Sequence, residues 1–134
     1  MKLVKSVFTA SITVVLLLCA AAVFAQMEEL RNSTPMQRAK LQTFFMQKRL
    51  NLAPGQVKQV QGINLKYAEQ MEPIIRGNGG KLKKARQANA INEAKDNELR
   101  TVLSGEQYQA YLASKEEMHQ AMVEKLRQKL GGAN

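Results

Sequence analysis

The stretch LSGEQYQAY, residues 103–111, repeats the frame of an earlier stretch, LAPGQVKQV, residues 52–60. Each begins with leucine and a small residue and carries glutamine at its fifth position. In the later copy, Ser104 and Gln107 have the spacing of a capping box, in which two side chains satisfy backbone amides where a helix begins. We therefore predict that a helix begins directly after Leu103 and Ser104.

The earlier copy predicts a second helix start of the same kind. Leu52 precedes it, Pro54 suits the first helical position, and Gln56 can reach back to the preceding backbone amide. Ala53 offers no capping oxygen, so we expect this start to be weaker by about 1 kcal/mol than one with Ser or Thr. A third version of the box, at residues 34–37, lacks the leucine. We interpret the glutamines of both copies as structural.

The rest of the chain has helical periodicity, because apolar residues recur three and four positions apart and no alternating strand pattern is present. The sequence predicts an all-α fold. The predicted helices span Pro35 to Leu50, Pro54 to Arg76, Lys81 to Val102 and Gly105 to Leu130. The segment RGNGG, residues 76–80, is expected to be a hairpin tip, since glycine and asparagine favour turns. Pro73 is expected to kink or stop the second helix near residues 71–72.

The apolar stripes predict which side chains face inward from these helices. On the first helix they are Met36, Leu41, Phe44 and Phe45, and on the second Val57, Val60, Ile63, Tyr67, Met71 and Ile74. On the third they are Leu82, Ala85, Ile91, Leu99 and Val102, and on the fourth Tyr108, Tyr111, Leu112, Met118, Met122, Leu126 and Leu130.

The N-terminal residues predict export. Lys2 and Lys5 precede an apolar run at residues 12–23, and small residues precede a cleavage point after Ala25. A membrane anchor is the alternative, but the run is shorter than the roughly 20 residues that a spanning helix needs. A lipoprotein cysteine at Cys19 is disfavoured by the bulky Leu18 before it. We predict a cleaved signal peptide, residues 1–25, followed by one domain, residues 26–134, with no stable membrane anchor.

The predicted mature chain is basic and contains no cysteine. Without Lys2 and Lys5, the 20 basic residues become 18 against 11 acidic ones, a formal net charge of +7. This favours acidic partners such as anionic lipid or acidic proteins, while export argues against nucleic acid. The acidic residues are spread along helix faces, and RGNGG lacks the features of a phosphate-binding loop. We expect neither an enzyme nor a cofactor.

The two motif copies resemble the Leu-Thr-x-x-Gln motif of the Spy/CpxP family of periplasmic proteins. Both copies depart from its threonine, to Ala53 and to Ser104. The resemblance implies a long, bent helical hairpin that pairs with a second copy into an antiparallel, cradle-shaped homodimer. It also implies an ATP-independent periplasmic chaperone of the envelope stress response, which holds unfolding proteins on a surface of apolar and basic side chains.

Candidates for client contact are two aromatic residues and two basic clusters, although the aromatics are also expected in the core of the subunit or dimer. They are Phe44, Phe45, Lys48, Arg49, Lys81, Lys83, Lys84 and Arg86. The family also suggests two alternatives. One is a regulator that binds the periplasmic sensor domain of an envelope-stress kinase. The other is a metal-responsive protein, for which His119 and Met122 are the available ligands; a surface position for His119 is the simpler interpretation.

Overall fold

The structure, a computed structural model, describes residues 26–132. The predicted signal peptide, with its cleavage point after Ala25, lies outside the described residues. Within them the protein is all-helical, as predicted, and contains five helices. No helix in this part of the chain combines the length and apolar character needed to cross a bilayer.

The four predicted helices form within one residue of their expected ends. We label them α2 (Pro35–Leu50), α3 (Pro54–Arg76), α4 (Lys81–Val102) and α5 (Gly105–Gly131). A helix before them, α1, of which residues 26–32 are described, was not predicted. Pro73 does not stop α3, which continues through it to Arg76.

The helix ends follow from local chemistry. Thr34 and Gln37 form a complete capping box at the start of α2, with hydrogen bonds of 3.1 and 2.8 Å. Asn51 ends α2 in the left-handed conformation, with φ of 51°, which asparagine tolerates better than most residues. At the end of α3 the backbone of Gly77 passes so close to Pro73 that a Cβ would lie 2.6 Å from the proline carbonyl oxygen. Glycine is therefore required at position 77 for steric reasons.

Successive long helices run antiparallel and surround one core. The helix pairs with the main contacts are α2 with α3, α3 with α4, α4 with α5, and α2 with α5. The contact between α4 and α5 is the smallest of the four. The main core takes residues from all four helices, including Met46, Val60, Leu99 and Tyr111. Burial of these side chains is the dominant stabilising contribution.

A second apolar cluster fixes α1 to the end of the bundle. Met122, Val123 and Leu126 of α5 are buried there, and Leu30 of α1 packs against them. This cluster lies near the start of α2 and the end of α5, away from the two motif copies.

Several predicted inward positions are wrong. Met36, Phe44, Leu82 and Leu112 are the exposed large apolar side chains in the described part of the chain, and Ala85 is exposed as well. The buried residues of α2 are instead Arg38, Ala39, Thr43, Met46 and Leu50. Small side chains such as Ala39 and Thr43 allow α2 to approach its neighbours closely, and the bulkier Phe44 is therefore turned outward.

A buried arginine joins α1, α2 and α3. Arg38 is only 4% exposed, and its guanidinium donates to the carbonyl oxygens of Leu30 at 3.0 Å and Ser33 at 2.8 Å. It also forms an ion pair with Glu72 of α3, which pairs with Arg76 as well. Burial alone would raise the pKa of Glu72, but the hydrogen bonds from Arg76 and Arg38 outweigh burial and lower this pKa.

Candidate functional site

The two motif glutamines contact each other across the bundle. Nε2 of Gln56 donates to Oε1 of Gln107 at 2.7 Å, and Nε2 of Gln107 donates to Oε1 of Gln56 at 3.1 Å. We call this reciprocal pair the glutamine bridge. The residues are 51 positions apart in sequence, so the bridge joins the α2–α3 corner to the α4–α5 corner.

The remaining hydrogen-bonding capacity of both amides is used by the backbone. Each Oε1 also accepts from the backbone amide that begins its own helix, from Ala53 at 3.0 Å and from Ser104 at 2.9 Å. Each Nε2 also donates to a carbonyl at the end of the helix before the other motif copy: Gln56 to Val102 of α4 at 3.0 Å, and Gln107 to Leu50 of α2 at 3.4 Å. All donors and acceptors of both side-chain amides are therefore satisfied. The glutamines therefore cap their own helices and also connect the two corners.

Loss of either bridge glutamine should destabilise the fold. We expect Gln56→Ala and Gln107→Ala each to lower the free energy of unfolding by about 2 kcal/mol, because backbone groups and the other glutamine lose partners. The double variant should lose about 1 kcal/mol less than the sum, as contacting residues do in a double-mutant cycle. Urea denaturation of the wild type, the two single variants and the double variant measures these free energies of unfolding.

Gln37 provides the matched control for this cycle. It occupies the same position in its capping box, but no bridge to a distant side chain is seen for it among residues 26–132. Gln37→Ala should cost about 1 kcal/mol or less. Strictly additive losses for Gln56 and Gln107 would show that the bridge contributes nothing beyond the two caps.

An exposed stripe runs along the outer side of α2. Met36, Lys40, Phe44 and Lys48 are all exposed and follow one another at intervals of four residues, which places them on one helix face. Met36 is 41% and Phe44 45% exposed, and Nζ of Lys48 lies 4.6 Å from the centre of the Phe44 ring. This set, the α2 stripe, alternates apolar and cationic side chains.

The other predicted contact residues differ in their availability. Phe45 is half-buried and packs against both apolar clusters. Arg49 forms an exposed ion pair with Glu117 at 2.8 Å. The cluster at residues 81–86 begins α4, at the far end of α3 from Lys48. Since α3 has 23 residues, the two basic clusters are separated by roughly 30 Å along the helix axis, and the structure does not bring them together.

The candidate metal ligands do not form a site. His119 is half-buried rather than a surface residue, and its pKa is lowered chiefly by burial. Met122 is 3% exposed and packs in the second apolar cluster. Within residues 26–132, no group of three or more His, Cys, Asp or Glu side chains is placed to hold a metal ion.

A shallow groove of about 350 Å³ lies beside the second motif copy. Its lining comes from the α4–α5 corner and contains no carboxylate and no histidine. The lining residues are Arg100, Leu103, Ser104, Gly105, Tyr108 and Gln109. This groove does not bring together the acid and base groups that proton-transfer catalysis uses.

Comparison with known proteins assigns the chain to a family without assigning an activity. No curated protein and no solved structure matches it. Residues 25–111 match a family described as "Domain of unknown function (DUF4890)". This range includes both motif copies and ends within α5. The match covers more than half of the chain, and the protein therefore belongs to the DUF4890 family.

Proposed function

We propose that this protein is an exported, ATP-independent chaperone that holds unfolding proteins of the cell envelope. The observation that carries the proposal is the α2 stripe, where two large exposed apolar side chains alternate with two lysines. Exposed Phe and Met side chains on one face of a monomer are typical of a surface that binds other proteins. The resemblance of the two motif copies to the Spy/CpxP motif supports the same activity.

The chemistry of the stripe suits unfolded rather than folded partners. Met36 to Phe44 spans eight residues, or about 12 Å of helix, which matches a short segment of extended chain. Met is flexible and polarizable and can adapt to many apolar shapes, while Phe44 provides a rigid aromatic contact. Lys40 and Lys48 attract acidic segments from a distance, and the apolar contacts then hold them.

Aggregation of a chemically denatured client tests this proposal. Mature chain, residues 26–134, should suppress light scattering at near-equal molar ratio without ATP or metal, and suppression should weaken at moderate salt. Met36→Gln combined with Phe44→Gln should raise the concentration of this protein needed to suppress aggregation by about tenfold, because two apolar contacts with the client are lost.

Leu112→Gln is the matched control. Leu112 is 38% exposed on α5, outside the α2 stripe, and its replacement should leave suppression unchanged. Absence of suppression by the wild type at either salt concentration would reject the chaperone proposal and favour the regulator that binds one sensor domain. Equal losses in both variants would reject the assignment to the stripe.

The proposal includes the location and assembly implied by the sequence. The chain would lie in the periplasm after cleavage behind Ala25, and two copies would pair as an antiparallel homodimer. N-terminal sequencing of the periplasmic fraction tests the cleavage point. Sedimentation equilibrium of residues 26–134 tests the pairing: a monomer at micromolar concentration would contradict it.

A further inference from the structure

The beginning of α4 is a concentrated region of positive charge. No acidic residue lies between Glu72 and Glu93, and this interval contains five basic residues. They are Arg76, Lys81, Lys83, Lys84 and Arg86. We call residues 77–86 the basic tip. No residue from 78 to 90 is buried, so this part of α4 rests on α3 and extends its outer face into solvent.

Most of the charge at the tip is not neutralised by neighbouring carboxylates. Arg76, directly before the tip, pairs with Glu72. None of the ion pairs found within residues 26–132 includes Lys83, Lys84 or Arg86. The carboxylate nearest to the tip in sequence, Glu72, is already paired with Arg38 and Arg76, and the tip therefore keeps a local positive potential.

An apolar side chain lies within this charge. Leu82 is 66% exposed, the largest exposure among the large apolar side chains of residues 26–132. It follows the GNGG segment, which carries only the side chain of Asn78 and leaves the end of the molecule unobstructed. Long cationic side chains around one exposed leucine are typical of a surface that meets the interface of a membrane.

The shape of the tip favours a lipid surface over a folded protein. A stable protein interface needs roughly 800 Å² from each partner and close shape complementarity, whereas the tip is a narrow helix end. A fluid layer of anionic headgroups requires no fixed shape, because lipids rearrange around each cation. Basic residues near such a layer contribute additively, by about a fivefold gain in binding for each one.

We propose that the basic tip docks on anionic phospholipid bilayers, with Lys83, Lys84 and Arg86 at the headgroups and Leu82 inserted among them. This docking is reversible and peripheral. It does not depend on client holding, since the tip and the α2 stripe lie on different helices and share no residue.

Vesicle flotation tests this proposal with the mature chain. Both apolar clusters and the glutamine bridge lie within residues 26–132, so residues 26–134 contain these contacts and lack the apolar leader. The wild type should float with vesicles of phosphatidylcholine and phosphatidylglycerol in equal parts and not with phosphatidylcholine alone. Moderate salt should release it.

Two matched pairs of variants locate the contact. Lys83→Gln with Arg86→Gln should weaken binding about 25-fold, while Lys40→Gln with Lys58→Gln removes the same charge elsewhere and should weaken it by about twofold or less. Leu82→Gln should weaken binding about fivefold, and Leu112→Gln should not. Circular dichroism confirms that each variant remains helical.

Several outcomes would overturn the proposal. They are failure of the wild type to bind phosphatidylglycerol vesicles, equal binding to both kinds of vesicle, and equal losses in the two charge variants. Loss of client holding in the tip variant with unchanged flotation would assign the tip to acidic client segments instead. Because the client assay contains no lipid, failure of one proposal leaves the other intact.

Discussion

Arg38→Ala should lower the free energy of unfolding by about 3 kcal/mol, the largest loss that we expect from a single polar side chain. The substitution removes one partner of a largely buried ion pair and leaves the Glu72 carboxylate with Arg76 alone. It also removes the guanidinium donor from the carbonyls of Ser33 and Leu30, the second of which keeps the Ser33 hydroxyl as a side-chain donor, so α1 loses polar contacts to α2. Chemical denaturation at neutral pH measures the loss.

Arg49→Ala is the control for this experiment, because Arg49 lies on the same helix in an exposed ion pair. Arg49→Ala should lower the free energy of unfolding by about 1 kcal/mol or less. Equal losses at the two arginines would mean that burial of Arg38 is energetically irrelevant.

Acid pH gives a second readout of the same ion pair. The pKa of Glu72 is lowered from its ordinary value of 4.5, so its contribution is present above that value and is lost as the pH falls through the lower folded pKa. The wild type should lose stability in this window, and Arg38→Ala should lose less there.

Lys95→Met should have the opposite effect and raise the free energy of unfolding at pH 7 by about 2 kcal/mol. Lys95 is 7% exposed on α4 and takes part in none of the ion pairs within the described residues. Burial lowers its pKa from 10.5 to about 8, with the charge of Asp96 opposing and that of Lys115 adding to this effect. Holding the charged form inside the protein therefore costs up to about 3 kcal/mol below pH 8, and methionine retains most of the packing of the lysine stem.

The pH dependence distinguishes this cause from improved packing. The folded pKa of Lys95 lies below the unfolded one, so the unfolded state binds more protons between them and stability rises with pH. The wild type should become more stable from about pH 8 to 9.5. The Lys95→Met variant should show little of this increase. Lys58→Met, at an exposed position, should change stability by less than about 0.5 kcal/mol. A stability increase that does not depend on pH would show that the lysine charge is not its source.

The helix boundaries could be predicted because they depend on local chemistry. Pro35 and Pro54 suit first helical turns, Ser104 supplies a capping oxygen, and the GNGG segment cannot continue a helix. Each signal lies within a few residues of the boundary that it sets. The α1 helix was not predicted because no Pro, Gly or capping residue stands directly before residue 26 in the sequence.

The buried faces were harder to predict because burial depends on which helices approach each other. Ranking by hydrophobicity favoured Phe44 and Leu82, whereas α2 buries Ala39 and Thr43, whose small side chains permit close packing. Arg38 and Lys95 have long apolar stems that can be buried, and nothing in their immediate sequence distinguishes them from exposed basic residues.

The glutamine bridge could not be predicted either, because it also depends on which helices approach each other. The spacing within each motif copy predicted a cap, because a cap is made within four residues. The contact between Gln56 and Gln107 depends on the antiparallel arrangement of four helices, which a single sequence does not define. The repetition of the motif was the available signal, since two identical amides can satisfy each other.

Site-specific photo-crosslinking tests the central functional claim most directly. A benzoylphenylalanine introduced at Phe44 in residues 26–134, and separately at Leu112, would be irradiated during dilution of a denatured client. The α2 stripe predicts abundant client adducts at position 44 and few at position 112. Equal adducts at both positions, or none at position 44 while aggregation is still suppressed, would contradict the assignment of client holding to this surface.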